Sequence, residues 1–166
     1  MVAFETIAGD RRTMSLGVPI GELDLASFLP YRLAVSSKRV SRALARRYET
    51  GFGVSIPEWR CLAVLGRRSQ LTATDLGRRA SLDKVQTSRA LAGLVDRGLV
   101  ARSRDDGDRR ATRLALTDDG RALYADLAAV ALAWERELIE ALGLSDRRAL
   151  DRVLHKLDRA LDRLER

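Results

Sequence analysis

Lys84, Val85, Gln86, Ser88 and Arg89 lie within six consecutive residues, and their side chains together suit the recognition of nucleic-acid bases and phosphates. A guanidinium can donate two hydrogen bonds to guanine O6 and N7. A carboxamide can pair with adenine in the same way, and a Val methyl can touch the methyl of thymine. A Lys and a Ser alongside suit phosphate oxygens. The spacing gives these groups a direction. Thr87, Ala90, Leu91 and Leu94 fall at offsets 0, 3, 4 and 7, one face of an α-helix. If that face is turned inward, Val85, Gln86 and Arg89 point outward. Gln86 also follows Asp83 by three residues, the spacing of a capping box, which offers its amide a second use. A second basic group comprises Arg104, Arg109 and Arg110, interleaved with Asp105, Asp106 and Asp108 around Gly107. An Arg in such a turn either enters a narrow, negatively polarised minor groove or pairs with its own aspartates. Thr72 and Thr74 at a predicted helix start, with Arg78 and Arg79 behind them, are further candidates for phosphate.

Catalytic chemistry finds little to work with. A single His, His155, makes a His-based metal site an unsuitable reading, and a single Cys, Cys61, excludes an intramolecular disulfide framework and a multi-Cys zinc site. There is no Gly-rich phosphate loop and no spacing that suggests a Ser-His-Asp set. The carboxylates are scattered over charged helix faces. No cofactor, metal or enzymatic activity is therefore expected. Cys61 lies two residues from Trp59 in a stretch with core-like apolar spacing. It reads either as a buried, inert thiol or as a sensor of oxidants.

Net charge supports the same partner class. The chain has 166 residues and a net charge of +7. Residues 25–50 carry +5 and residues 55–117 carry +6, whereas 1–24 and 118–166 carry −2 each. A concentrated positive segment favours a polyanion: duplex DNA, RNA or an anionic membrane. The basic residues accompany a turn and several short helices rather than one amphipathic helix, which argues against a membrane surface. The stacking aromatics of RNA readers are missing. The longest apolar run, Leu127–Trp134, is far below the roughly 18 residues needed to span a bilayer. The first residues contain Glu5 and Asp10 and no signal-peptide core. A cytoplasmic location is expected.

The elements that must position these groups follow from period and punctuation. Residues 1–24 have no clear period and read as a flexible arm. From Phe28, with Pro30 near the start, the apolar residues Leu29, Leu33, Val40 and Leu44 predict a helix ending near Tyr48, within a segment 25–54. Ser55 caps a second helix running to about Leu65 and closed by Gly66. Thr72 opens a short third, with Asp75 as a capping-box variant, and Asp83 opens a fourth, stopped by Gly98. Leu99 to Arg104 and Ala111 to Leu116 read as two strands of a hairpin. Thr117 caps a long fifth helix ended by Gly143, and Ser145 caps a sixth. Three helices and a hairpin over 55–117 make a winged helix-turn-helix. The fold class is mainly α with a small β-hairpin wing, plus N- and C-terminal helices. The stripe Leu150, Val153, Leu154, Leu157 and Leu161 is more apolar surface than so small a domain needs, so residues 118–166 read as dimerisation helices. A symmetric dimer would place two recognition helices roughly 34 Å apart.

The chain resembles the MarR-family transcriptional regulators. The resemblance rests on Phe28-Leu29-Pro30-Tyr31-Arg32-Leu33, Ser55-Ile56-Pro57-Glu58-Trp59-Arg60 and Leu82-Asp83-Lys84-Val85-Gln86-Thr87-Ser88-Arg89. It continues through Asp96-Arg97-Gly98-Leu99-Val100, Asp108-Arg109-Arg110 and Leu116-Thr117-Asp118-Asp119-Gly120-Arg121. Their order and spacing hold one register over residues 25–164. Thr87 departs from the pattern, where an apolar residue is usual. The resemblance implies a homodimer on a pseudo-palindromic operator in double-stranded DNA, in many members a repressor released by a small aromatic or anionic effector. It implies that Asp108 orients Arg110 into the minor groove. It also implies an effector pocket between the winged unit and the dimerisation helices, where Phe28, Tyr31, Arg32 and Trp59 would suit an aromatic carboxylate or an acyl-CoA. For Trp59 ordinary packing is the preferred use of the ring, and Arg32 is the better candidate for contact with a ligand. Some branches sense oxidants through a cysteine, which keeps Cys61 as an alternative switch.

Overall fold

A computed structural model describes residues 23–68, 70–104 and 112–165. The chain divides into two compact units, Met1–Ser37 and Lys38–Arg166. In the first, Asp24 accepts the Ala26 N–H at 2.9 Å, and its carbonyl takes the Phe28 N–H at 3.0 Å. These bonds begin helix α1 (Leu29–Phe52), and the Ala26 N–H holds the Asp24 carboxyl below its ordinary pKa. α1 runs four residues past Tyr48, where the sequence reading ends it. Gly51 is carried inside the helix, and the stop falls at Gly53, whose φ of +59° is a left-handed conformation that favours glycine.

The larger unit continues with α2 (Ile56–Arg67), α3 (Ala73–Ala80), α4 (Lys84–Asp96), β1 (Val100–Arg104), β2 (Thr112–Leu116), α5 (Asp118–Leu142) and α6 (Leu144–Leu164). The two strands pair antiparallel, from Val100 opposite Leu116 to Arg104 opposite Thr112. Helix α2 is the hub and packs against α3, α4, α5 and β2. Ser55 caps its start as expected, and the structure adds the reciprocal half of a capping box: the Ser55 hydroxyl accepts the Glu58 N–H, and Glu58 accepts the Ser55 N–H at 2.8 Å. Its end differs from expectation, because Gly66 lies within the helix. A side chain at Gly66 would strike the Tyr124 ring of α5, so the missing Cβ serves close packing and not termination.

The core joins Leu62 and Leu65 of α2, Leu76 of α3, Leu91 and Leu94 of α4, Leu114 and Leu116 of β2, and Leu127 of α5. Tyr48, Trp59 and Tyr124 add an aromatic file, with centroids 5.9 Å and 6.4 Å apart. The buried residues of α4 are Thr87, Ala90, Leu91 and Leu94, as their spacing predicts. Burial of Thr87 is possible because its hydroxyl donates to the Asp83 carbonyl at 2.7 Å. Gly77 of α3 lies against that hydroxyl, where a Cβ would collide with it. One further expectation fails. Ser145 does not cap α6, which starts at Leu144 directly after Gly143 and has no side-chain cap.

Gly120, in the first turn of α5, approaches the backbone of Leu99 so closely that a methyl there would land on the Leu99 carbonyl. Neither group is the end of a flexible side chain, so relief requires moving α5 off the segment that joins α4 to β1. Gly120→Ala should destabilise the protein by about 1–3 kcal/mol, the usual cost of overpacking. Chemical denaturation checks this. An unchanged midpoint would show that α5 is not pinned here.

Candidate nucleic-acid interface

Helix α4 begins at the turn that ends α3. Ser81 adopts a left-handed conformation, φ 53°, and the Leu82 N–H returns to the Gly77 carbonyl at 2.9 Å. Asp83 then caps α4 by accepting the Gln86 N–H at 2.7 Å, while the Gln86 side-chain carbonyl accepts the Asp83 N–H at 3.3 Å. The capping use of Gln86 is thus realised. Its carbonyl is engaged at the helix start, and its NH2 donors remain on an exposed side chain.

Lys84, Val85, Gln86, Ser88 and Arg89 are all exposed, Val85 by 57%. Among the described residues, neither Lys84 nor Arg89 makes a hydrogen bond or an ion pair within the chain. The Lys84 and Arg89 cations on either side of the exposed Val85 are thereby available to an anionic partner. Beside this face lies a cavity of about 640 Å³ bounded by α3, α4 and both strands. It brings together Thr74 of α3, Lys84 and Ser88 of α4, Arg102 of β1 and Thr112 of β2. Thr72 is not among its walls, and its hydroxyl is occupied by Asp75, accepting that residue's N–H and donating to its carboxylate at 2.9 Å. Arg78 lines the cavity while paired with Asp75 at 2.8 Å.

Arg102 escaped the sequence reading, although a signal was present. Val100 is buried, and side chains two residues apart share a face of a strand. Arg102 therefore sits on the face that begins as core at Val100 and opens into the cleft. Asp108, Arg109 and Arg110 lie outside the described residues. The strands on either side carry the chain toward them.

The groups expected at an effector pocket fall in both compact units. Phe28, Tyr31 and Arg32 are exposed in the N-terminal unit. Trp59 belongs to the aromatic file between Tyr48 and Tyr124, which is the packing use of its ring. His155 is exposed, with Nδ1 2.7 Å from the Asp151 carbonyl. Among the described residues no group of three or more His, Cys, Asp or Glu side chains could hold a metal. No helix there is long and apolar enough to cross a membrane.

The arrangement is that of a winged helix-turn-helix DNA-binding protein, and comparison with known proteins specifies it. The profile of the MarR family matches residues 52–111. The HTH-type transcriptional repressor Rv2887 of Mycobacterium tuberculosis is 33% identical over 131 residues, covering 78% of this chain and 91% of that protein. The MarR-family regulator SPO1453 of Silicibacter pomeroyi is 33% identical with a TM-score of 0.72, over 84% of this chain and 99% of that one. The repressor CouR, solved on a 23-mer DNA duplex, is 27% identical with a TM-score of 0.72, over 83% and 99% of the two chains. The chain belongs to the MarR family of transcriptional regulators.

Cys61 is fully buried in α2. Burial, with a smaller contribution from Glu58, pushes its thiol up to about 11, so the reactive thiolate is scarce near neutral pH. Burial and Glu49 likewise push the Tyr48 phenol up to about 12. Both groups hold their protons more tightly when folded. Their contribution to stability is complete below the unfolded values near 9 and 10 and is lost as pH rises toward 11 and 12. Stability should therefore fall above pH 9 without any change in α4. Native Cys61 should resist alkylation at pH 8 and react fully once unfolded. Rapid modification of the native protein would contradict its burial.

Proposed function

We propose that the protein acts as a homodimeric repressor that reads a pseudo-palindromic operator in double-stranded DNA, with α4 lying in the major groove. The observation that carries this reading is the division of α4. Its apolar face is fixed in the core, and Lys84, Val85 and Arg89 stand exposed, the two cations without a partner among the described residues, beside a cleft lined by Arg102, Thr74 and Ser88. In this assignment Val85, Gln86 and Arg89 read bases, while Lys84, Ser88, Thr74 and Arg102 hold phosphates. Thr72 supports the start of α3. Asp108, Arg109 and Arg110 are assigned to the minor groove through the family resemblance, which has Asp108 orient Arg110. The CouR complex supports the mode of binding through the shared fold. Such a reader works beside the genome, in the cytoplasm.

The dimer reading rests on α6. No residue of that helix is buried, and Leu150, Val153, Leu154 and Leu161 are 41–59% exposed on one stripe, with Leu157 half-buried. An uncovered apolar stripe of this length is best satisfied by a second chain. Residues 25–54 and 118–166 then form the dimerisation region around the winged unit. A small aromatic or anionic effector enters this reading through the family resemblance, with Phe28, Tyr31 and Arg32 as its candidate contacts. The burial of Cys61 favours such an effector over an oxidant as the signal.

Arg89→Ala should weaken binding to the cognate site by about 1–3 kcal/mol and relax preference at one position per half-site. Affinity for unrelated DNA should fall much less, because the other cations still neutralise phosphates. A binding series over single-base variants at one salt concentration distinguishes the roles, and uniform loss across all variants would make Arg89 a phosphate contact. Sedimentation at micromolar concentration should give roughly 37 kDa, twice the 18.4 kDa chain. Leu161→Asp should yield monomers that lose operator affinity. A monomeric wild type would remove the symmetric arrangement.

A further inference from the structure

The C-terminal end of α4 and the turn that leads into its N-terminal end are each linked to α1 by an arginine outside the base-reading face. At the C-terminal end Arg97 is the cap residue, and its backbone N–H returns to the Gly93 and Val95 carbonyls. Its guanidinium donates from Nη1 to the Gly53 carbonyl at 3.0 Å and from Nη2 to the Phe52 carbonyl at 3.1 Å. Phe52 is the last residue of α1. These carbonyls belong to the unpaired, negatively polarised end of that helix, where a cation is favoured. One residue thus ends α4 with its main chain and holds the end of α1 with its side chain.

At the other end Arg60 of α2 bridges two partners. Nη1 donates to the Ser81 carbonyl at 3.4 Å and Nη2 to the Ser41 hydroxyl at 3.5 Å. Ser81 is the left-handed residue of the turn that delivers the chain to α4. Ser41 lies on α1, on the same face as the buried Ala45 and Tyr48 and as Phe52. The anchor points Ser41 and Phe52 are eleven residues apart, about 16 Å along the helix. That spacing is close to the length of α4, whose 13 residues span about 20 Å.

We infer that Arg97 and Arg60 are positioning residues for DNA reading: they fix both ends of α4 to one face of α1 and so set where its outward side chains meet the bases, without contacting DNA themselves. The inference rests on the assignment of α4 as the reading helix. The Arg fork matches two successive carbonyls, and a Lys ammonium keeps the charge without the fork.

The test uses the full-length protein, a duplex selected by the wild type from a random library, and a scrambled duplex of the same composition. Arg97→Ala should lower the ratio of selected to scrambled affinity by roughly fivefold or more, with the salt slope on scrambled DNA unchanged. Arg97→Lys should stay nearer to the Ala variant than to wild type, and Arg60→Ala should shift the ratio in the same direction. If Arg97→Ala does not fold, Arg97→Lys and Arg60→Ala decide the matter. An unchanged ratio overturns the inference. So does a parallel loss on both duplexes with a slope smaller by about one unit and rescue by Lys, the signature of a direct phosphate contact. A wild type without preference between the duplexes overturns the reading of α4 itself, and this inference with it.

Discussion

Burial of one face of α4 is the constraint on which the rest depends. Leu91 and Leu94 are nearly or wholly removed from water, and Thr87 is buried with its hydroxyl satisfied inside its own helix. Full burial of each leucine contributes about 1.5–3 kcal/mol. Rotating α4 by one residue would return those leucines to solvent and press charged neighbours toward the core, which is costly when they are unpaired. The helix therefore has one available orientation. Arg89 and Val85 point outward because the opposite face cannot be released.

Close packing around α2 holds that orientation. Gly77 admits the Thr87 hydroxyl, Gly66 admits the Tyr124 ring, and Gly120 admits the Leu99 carbonyl. Each brings one neighbouring element closer than an alanine would allow, so α3, α4 and α5 are located by missing side chains as well as by apolar ones. The long cations complete the frame. Arg97 and Arg60 reach from the winged unit to α1, and Arg47 pairs with Glu137 of α5 at 2.6 Å. The last pair is exposed and contributes little to stability. The Arg97 fork has better geometry and acts on backbone that would otherwise lack partners.

Much of this was legible in the sequence because period and caps are local. The inward face of α4, the Ser55 cap, the Thr117 cap and the hairpin pairing depend on residues a few positions apart. The helix end at Gly66 misled because a glycine reads as a stop until its neighbours in space are known. Gly66 is needed for a ring more than fifty residues away in sequence. Gln86 could be assigned to a cap or to a base, and the fold shows the cap directly while leaving its donors exposed. Arg102 was visible in principle from strand parity with Val100, but a strand of alternating cations resembles a solvated edge. The ties of Arg97 and Arg60 to α1 had no local signal, since their partners are backbone carbonyls and hydroxyls distant in sequence.

Operator reading as proposed requires α4 of two symmetry-related chains to enter successive major grooves. Methylation interference at guanine N7, on a duplex selected by the wild-type protein, measures this directly because N7 lies in the major groove. Two interference clusters are expected, centred about 10 base pairs apart, or a whole multiple of one turn, on symmetric positions of the two strands. A single cluster, or protection confined to phosphates and the minor groove, would contradict this reading.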